Sequence, residues 1–217
     1  MNNIDELLKD GKWQILYKAF KGAEAWKVPE GDYLEFGVFE GMSFKHACHL
    51  SKRFNHKNMH FYAFDSFQGL PKPTLEEENK YEHFSEGQFS CSQETFCDIL
   101  KKSNIDLNEV TCIPGFYEDS LTSELKKKLP IKRASIVWID VDLYESTLPV
   151  LNWVTEYLTN GTFLIFDDWF SFGANPFAGE LKATNEWLSA NPQINLVEYD
   201  NFHTAGKAFL VQRYDQA

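Results

Sequence analysis

Tyr33-Leu-Glu-Phe-Gly-Val-Phe-Glu-Gly41 starts as a short, mostly apolar run and passes through one glycine to a second. A run of this length that ends on glycine reads as a buried strand. Gly37 lets the backbone turn sharply and approach a ligand, and Gly41 frees the entry to the next element. That element is expected to be a helix over 42–54. Strand, glycine turn and helix in succession open a βαβ unit.

The alternation continues outward. Segments 59–64, 110–114, 134–139 and 162–166 read as further strands. Helices are expected at 121–129, 148–158 and 181–189, and the lysines closing the first of these suit the negative end of a helix. Segments 195–199 and 207–212 read as a terminal hairpin. Upstream, residues 3–26 look helical in two pieces on either side of Gly11, because Ile4, Leu7 and Leu8, then Leu16, Ala19 and Phe20, recur at helical spacing. The pattern predicts an α/β fold: a doubly wound, Rossmann-like sheet, mostly parallel, with a C-terminal antiparallel hairpin. A chain of 217 residues suits one domain, with residues 1–30 as an N-terminal helical cover. Residues 71–93 break the rhythm with two prolines, three consecutive glutamates, and then His83, Phe84, Gly87 and Phe89. A segment this long without periodicity is expected to be a lid or an insert.

Composition narrows the function. The net charge is −11 and no long basic run exists, which argues against a nucleic-acid partner. No apolar stretch approaches the roughly 20 residues that span a bilayer, so no membrane partner is expected. Cys48, Cys91, Cys97 and Cys112 form no CxxC pair, and no signal peptide precedes them. They read as reduced thiols in a cytoplasmic protein. Aromatic residues make up 16%, which suits a ring-lined pocket and is compatible with a homo-oligomer.

The chemistry gathers at strand ends. Four of the first five strands lead into Gly37, Asp65, Asp140 or Asp167. Ligands of open α/β sheets bind at the carboxyl ends of strands, near the switch in strand order. The turn Gly37-Val38-Phe39-Glu40-Gly41 precedes a helix N-terminus, whose free N–H groups and positive dipole end can hold a carboxylate. Glu35 would face a ligand's ammonium, directly or through water. Phe39 stands where the middle glycine of GxGxxG would be, so the dinucleotide fingerprint is incomplete. Asp65 and Ser66 end the second strand, where an acidic residue can accept ribose hydroxyls, although a turn or a helix cap uses the same residue types.

Asp140, Asp142, Asp167 and Asp168 lie at the ends of two strands expected to be neighbours. Carboxylates so close repel one another and take up protons, and a divalent cation removes that problem. Oxygen-only ligands suit Mg²⁺, Mn²⁺ or Ca²⁺ better than zinc. Alternatively, Asp142 caps the following helix.

These segments carry a resemblance. LEFGVFEG, FDSFQGLP, Gly115-Phe-Tyr-Glu-Asp119-Ser-Leu, DVDLYEST and FDDW resemble, in the same order, segments of macrocin and mycinamicin O-methyltransferases, from about Gly31 to Trp169. More distantly, the carboxylates are similar to those of catechol O-methyltransferase-type enzymes. The resemblance implies a single class I methyltransferase domain over 1–217, with S-adenosylmethionine as methyl donor. The acceptor it implies is a small-molecule hydroxyl, on a macrolide sugar in the namesakes, as in natural-product biosynthesis. By position, Glu35 and Gly37 would meet the methionine part of the donor. Asp65 and Ser66 would meet the ribose, and Phe116, Asp119 and Ser120 would lie near adenine. Asp140, Asp167 and Asp168 would hold Mg²⁺ or another divalent cation, with Asp142 the alternative to Asp140.

In the mechanism this implies, the metal lowers the pKa of the acceptor hydroxyl. Asp142, Asp140 or a histidine takes the proton, His83 and His203 being the candidates. Phe84, Phe89 and Trp169 would line the acceptor pocket. Three rival readings exist. A nicotinamide-dependent oxidoreductase would show the fuller glycine fingerprint and leaves the aspartates without a purpose. A metal-dependent hydrolase explains the aspartates but not FDSF. A non-catalytic nucleoside-cofactor-binding protein has no need of intact metal ligands.

Overall fold

A computed structural model describes residues 11–56, 58–81 and 84–214. Five parallel strands, β1 (Asp32–Phe36), β2 (Phe61–Asp65), β3 (Val110–Pro114), β4 (Ala134–Ile139) and β5 (Phe163–Phe166), join the hairpin of β6 (Ile194–Phe202) and β7 (Gly206–Arg213) in one sheet. The order is β3-β2-β1-β4-β5-β7-β6. β1 pairs in parallel with both β2 and β4, so the strand order switches at its carboxyl end. β7 runs antiparallel to β5, with Phe166 opposite Lys207.

Side chains alternate across the sheet as the two-residue strand period requires. Leu34, Phe36, Val137, Ile139, Leu164 and Phe166 share one apolar cluster with α6 (Tyr144–Val154) and α7 (Gly179–Ala190). Tyr33, Ile136, Trp138, Phe163 and Ile165 share the other with α1 (Gly11–Ala25), α2 (Met42–Arg53) and α3 (Gln93–Lys102). Cover on both faces explains why the strands read as continuous apolar runs. Each fully buried large side chain stabilises the fold by about 1.5–3 kcal/mol.

The helix boundaries differ from the sequence reading in instructive ways. α3 was not expected; Ser92 caps it by accepting the Thr95 N–H at 3.1 Å. A helical turn, α4 (Tyr117–Ser120), precedes the expected 121–129 helix, which is α5 (Ser123–Lys128) and is capped by Thr122. α6 begins at Tyr144, ahead of Leu148, and runs into a 3-10 turn at Thr155–Tyr157. The hairpin strands are longer than expected and leave only His203, Thr204 and Ala205 in the turn. Ile4, Leu7 and Leu8 lie outside the described residues. Gly11 is the first described residue of α1, where a Cβ would meet the His203 backbone nitrogen at 2.9 Å.

The 71–93 segment is anchored. Leu70 N–H donates to Gln88 O (2.9 Å) and Gly87 N–H to Leu70 O (3.0 Å), which ties its two ends together. Glu78 begins a 3-10 turn inside it and is fully buried. Its Oε1 accepts the first N–H of α6 from Tyr144 (2.8 Å) and the first N–H of α7 from Gly179 (2.9 Å). The N-cap positions of those helices, Leu143 and Ala178, have no capping side chain of their own. One carboxylate therefore caps two helices. Thr74 N–H donates to Glu145 Oε1 at 2.8 Å, and Phe84 packs with Leu143, Phe172 and Ala178. Among the described residues no helix is long and apolar enough to cross a membrane.

Candidate active site

A cavity of about 550 Å³ opens where the carboxyl ends of β1, β2, β4 and β5 converge, within the roughly 300–1,000 Å³ usual for small-molecule sites. One half is shaped by the β1–α2 turn. Gly37 has φ +80°, and a Cβ there would lie 1.8 Å from the Asp140 carbonyl oxygen. Asp65 holds the turn from below: its Oδ2 accepts Val38 N–H (2.7 Å) and Phe39 N–H (3.2 Å), and its Oδ1 accepts Phe67 N–H (2.7 Å). Phe39 adopts φ +43°, a conformation that favours glycine. Gly41, at φ +73°, is the N-cap of α2 and supplies no side-chain cap, so the helix opens toward the cavity with its N-terminal N–H groups.

Gly37, Val38, Phe39, Asp65, Ser66 and Phe116 line the cavity, as expected. Four other expected residues do not. Gly41 sits behind, where a Cβ would strike the Phe96 ring at 2.8 Å. Glu35 is fully buried: it shares the Tyr33 face of β1 and accepts hydrogen bonds from the Tyr33 and Ser43 hydroxyls, of which Ser43 lies between it and the cavity. Burial pushes its pKa up to about 8, against those two hydroxyls. Asp119 and Ser120 are carried past the rim by the α4 turn; Asp119 is exposed and Ser120 Oγ donates back to Gly115 O at 3.3 Å. Tyr117 of the same turn lines the cavity instead, its hydroxyl donating to Phe64 O (3.2 Å).

The other half is acidic. Asp140, Asp167 and Asp168 each offer an oxygen within 4.8 Å of the others. Asp142 does not cap α6, because Glu78 does; it is buried beside Asp168. Burial, followed by the charges of Asp168 and Asp140, drives the Asp142 pKa far above the carboxylate range. Burial, Asp140 and Asp167 push Asp168 up to about 8, and burial and Asp167 push Asp140 up to about 6. Asp167 goes the other way: burial is outweighed by a hydrogen bond from His203 and by the Lys12 ammonium, which hold it below the usual value. Asp168 Oδ1 accepts from Ser171 Oγ (2.7 Å), and its N–H donates to Glu180 Oε2 (2.9 Å). Asp168 Oδ2 and Glu180 Oε1 are buried without a hydrogen-bond partner among the described residues.

Two basic groups meet this cluster. Lys12 Nζ lies 2.8 Å from Asp140 Oδ2 and 2.9 Å from Asp167 Oδ2. Burial alone would lower its pKa, yet the two carboxylates raise it well above the lysine range. Nothing in the sequence marks Lys12, because a lysine on a terminal helix is ordinarily solvated. His203 Nε2 lies 3.2 Å from Asp167 Oδ1. Its Nδ1 accepts the Ala205 N–H at 3.1 Å, so the neutral ring carries its proton on Nε2 and donates it to Asp167. His83 lies outside the described residues. Phe84 and Phe89 line the cavity, and Phe89 meets Phe39 edge-on at 6.0 Å. Trp169 does not reach it but packs against Phe166 (5.1 Å) and Phe209 (4.9 Å).

The strand order and helix layers are those of class I methyltransferases. The solved O-methyltransferase NovP superposes with a TM-score of 0.76 at 19% identity, over 92% of this chain and 79% of that one. The mycinamicin III 3''-O-methyltransferase of Micromonospora griseorubida is 27% identical over 145 residues, 64% of this chain and 55% of that protein. The 8-demethyl-8-(2,3-dimethoxy-alpha-L-rhamnosyl)-tetracenomycin-C 4'-O-methyltransferase of Streptomyces olivaceus is 26% identical over 145 residues, 64% of this chain and 53% of that protein. The chain thus spans about half the length of these two relatives. The family model described as macrocin-O-methyltransferase (TylF) matches residues 12–189, from Lys12 through the aspartate cluster to α7, and the chain belongs to that family.

Proposed function

We propose that the protein is an S-adenosylmethionine-dependent O-methyltransferase acting on a small-molecule hydroxyl, that of a sugar in a natural product. The observation that carries this reading is one cavity bordered on one side by the Gly37–Asp65 turn and on the other by Asp140, Asp167 and Asp168. A donor pocket and a site for activating a hydroxyl thus share one space. The family and its two sugar-methylating relatives support the choice of acceptor over the hydrolase reading. The described residues contribute to a single sheet, which supports one methyltransferase domain.

The N-terminal N–H groups of α2 would hold the donor's carboxylate. Asp65, already occupied by three backbone N–H groups, would shape the turn and offer its remaining lone pairs to the ribose. Phe116 and Tyr117 would flank the adenine, and Phe84 and Phe89 the acceptor. The donor set also fits a hard divalent cation such as Mg²⁺: three carboxylates in reach of one point, with the buried Asp168 Oδ2 lacking a partner among the described residues. Bound there, such an ion would lower the pKa of an acceptor hydroxyl. Asp140, pushed up only to about 6, is the preferred proton acceptor over Asp142, which its burial beside Asp168 keeps protonated. His203 is not, because its Nε2 proton points at Asp167; it orients that carboxylate. Much of the rate would come from holding hydroxyl and methyl in line.

Calorimetric titration with S-adenosylhomocysteine, with and without Mg²⁺, tests the reading. Binding of micromolar order, about −8 kcal/mol, is expected. Mass spectrometry should then detect one added methyl group on a glycosylated macrolide acceptor. No binding would reject the methyltransferase reading and bring the metal-dependent hydrolase forward.

A further inference from the structure

The space between Asp140 and Asp167 already holds a cation, the side chain of Lys12. Its ammonium is centred between Oδ2 of one aspartate and Oδ2 of the other, at 2.8 and 2.9 Å. Mg²⁺ contacts oxygen at about 2.0–2.1 Å, so an ion joining the same two oxygens would fall inside the volume of the ammonium.

The placement of Lys12 is built into the fold. Gly11 lets α1 press against the hairpin turn, where any Cβ would lie 2.9 Å from the His203 nitrogen. Lys12 then crosses the Trp138 ring, with Nζ 5.8 Å from its centroid, to reach the aspartates, and keeps a quarter of its side chain exposed toward the cavity. The same hairpin turn supplies His203 to Asp167 Oδ1, which leaves Asp167 Oδ2 for Lys12. Asp168 lies outside this arrangement: its Oδ2 is buried and has no partner among the described residues. Two of the three carboxylates are thus neutralised from within the chain, and the third is left open.

We propose that Lys12 is a built-in counter-cation of the aspartate cluster, and that its ammonium and a divalent ion exclude one another from the space between Asp140 and Asp167. An ion approaching through Asp168 displaces Lys12 toward the cavity, and the amino-terminal end of α1 responds to metal. This rests on the reading of the cluster as a cation site. It does not require methyl transfer, so failure of S-adenosylhomocysteine to bind would leave it standing.

The test is Mn²⁺ binding to the full chain, followed by the electron paramagnetic resonance of free Mn²⁺. Wild type is compared with Lys12→Met and Lys45→Met. Lys45 lines the same cavity but makes no ion pair with the aspartates among the described residues. Lys12→Met should bind Mn²⁺ at least roughly ten-fold tighter than wild type, and Lys45→Met within about two-fold of it. Equal or weaker binding by Lys12→Met overturns the proposal. So does an equal gain in Lys45→Met, which would reduce the effect to general charge. If Lys12→Met does not fold, reductive methylation of wild type decides: Lys12 should be modified faster with Mn²⁺ present, and an unchanged rate overturns the proposal.

Discussion

The carbonyl oxygen of Asp140 stands 1.8 Å from where a Cβ on Gly37 would begin. The turn that opens the donor side of the cavity and the strand end that carries the aspartates therefore touch backbone to backbone. Gly37→Ala would place a methyl group in that contact at φ +80°. The left-handed conformation alone costs about 1–2 kcal/mol, and a backbone clash cannot be relieved by a change of rotamer. The expected loss is about 3 kcal/mol or more, read as a lower urea midpoint. An unchanged midpoint would mean that the turn can move away from β4.

Asp65 couples the donor turn to β2 through three backbone N–H groups. Asp65→Asn replaces one acceptor oxygen with an NH₂, and in either orientation at least one N–H then faces a donor. Roughly 1–3 kcal/mol of stability should be lost, and S-adenosylhomocysteine affinity should fall at least about ten-fold. Ser189→Ala, away from the cavity, removes only a contact to the Asn185 carbonyl oxygen and should change affinity by no more than about three-fold. Comparable losses in the two variants would contradict a special role for Asp65.

Glu78 confers a pH dependence whose sign is fixed by its environment. Burial, and beyond it the charge of Glu145, push its pKa up to about 7, although the Tyr144 and Gly179 N–H groups pull it down. The folded chain therefore retains a proton that the unfolded chain has released. That contribution to stability is complete below about pH 4.5 and fades as pH rises through about 7. Glu78→Gln keeps an acceptor for both helices and resembles the protonated form. It should melt higher than wild type near pH 8, by on the order of 1 kcal/mol, and the gain should vanish near pH 5. Glu78→Ala should lose about 1–2 kcal/mol at both. A Glu78→Gln gain that is the same at the two pH values would show that Glu78 does not titrate between them.

Asp167 is held from both sides, by Lys12 and by His203. Asp167→Asn removes a charge that both partners face. Methyl transfer should fall by at least about 100-fold in kcat, while S-adenosylhomocysteine affinity stays near wild type. Unchanged turnover would remove Asp167 from the reaction.

What the sequence disclosed depended on where each signal was written. The residues of β4 are those expected, because a strand covered on both faces carries its own apolar record; those of β3, at the sheet edge with only Ile113 buried, are also those expected, marked by their spacing in the alternation. The starts of α6 and α7 were obscure because their cap is remote: Leu143 and Ala178 stand at the N-cap positions, and Glu78 arrives from another segment. The start of α3 was legible in Ser92, with Phe96 and Leu100 one turn apart, but it followed an irregular stretch that drew the reading toward a loop.

The site shows the same division. Asp140, Asp167 and Asp168 could be found because strand ends converge in an α/β sheet. Glu35 was misread because strand parity assigns it to the Tyr33 face, beneath α2, rather than to the sheet edge. Lys12 reaches Asp140 across 128 positions and depends on how α1 docks, which no local pattern records.

The reversed direction of β7 has a consequence for how such a site can diversify. Because β7 enters the sheet beside Phe166, the turn before it brings His203 against Asp167 while its backbone packs on α1 at Gly11. Phe202 and Gly206 close the hairpin beneath that turn, so tightly that a Cβ on Gly206 would lie 2.4 Å from the Phe202 ring. The His203 side chain thus stands on a fixed mount. A change there alters what faces Asp167 without shifting the register of a single strand.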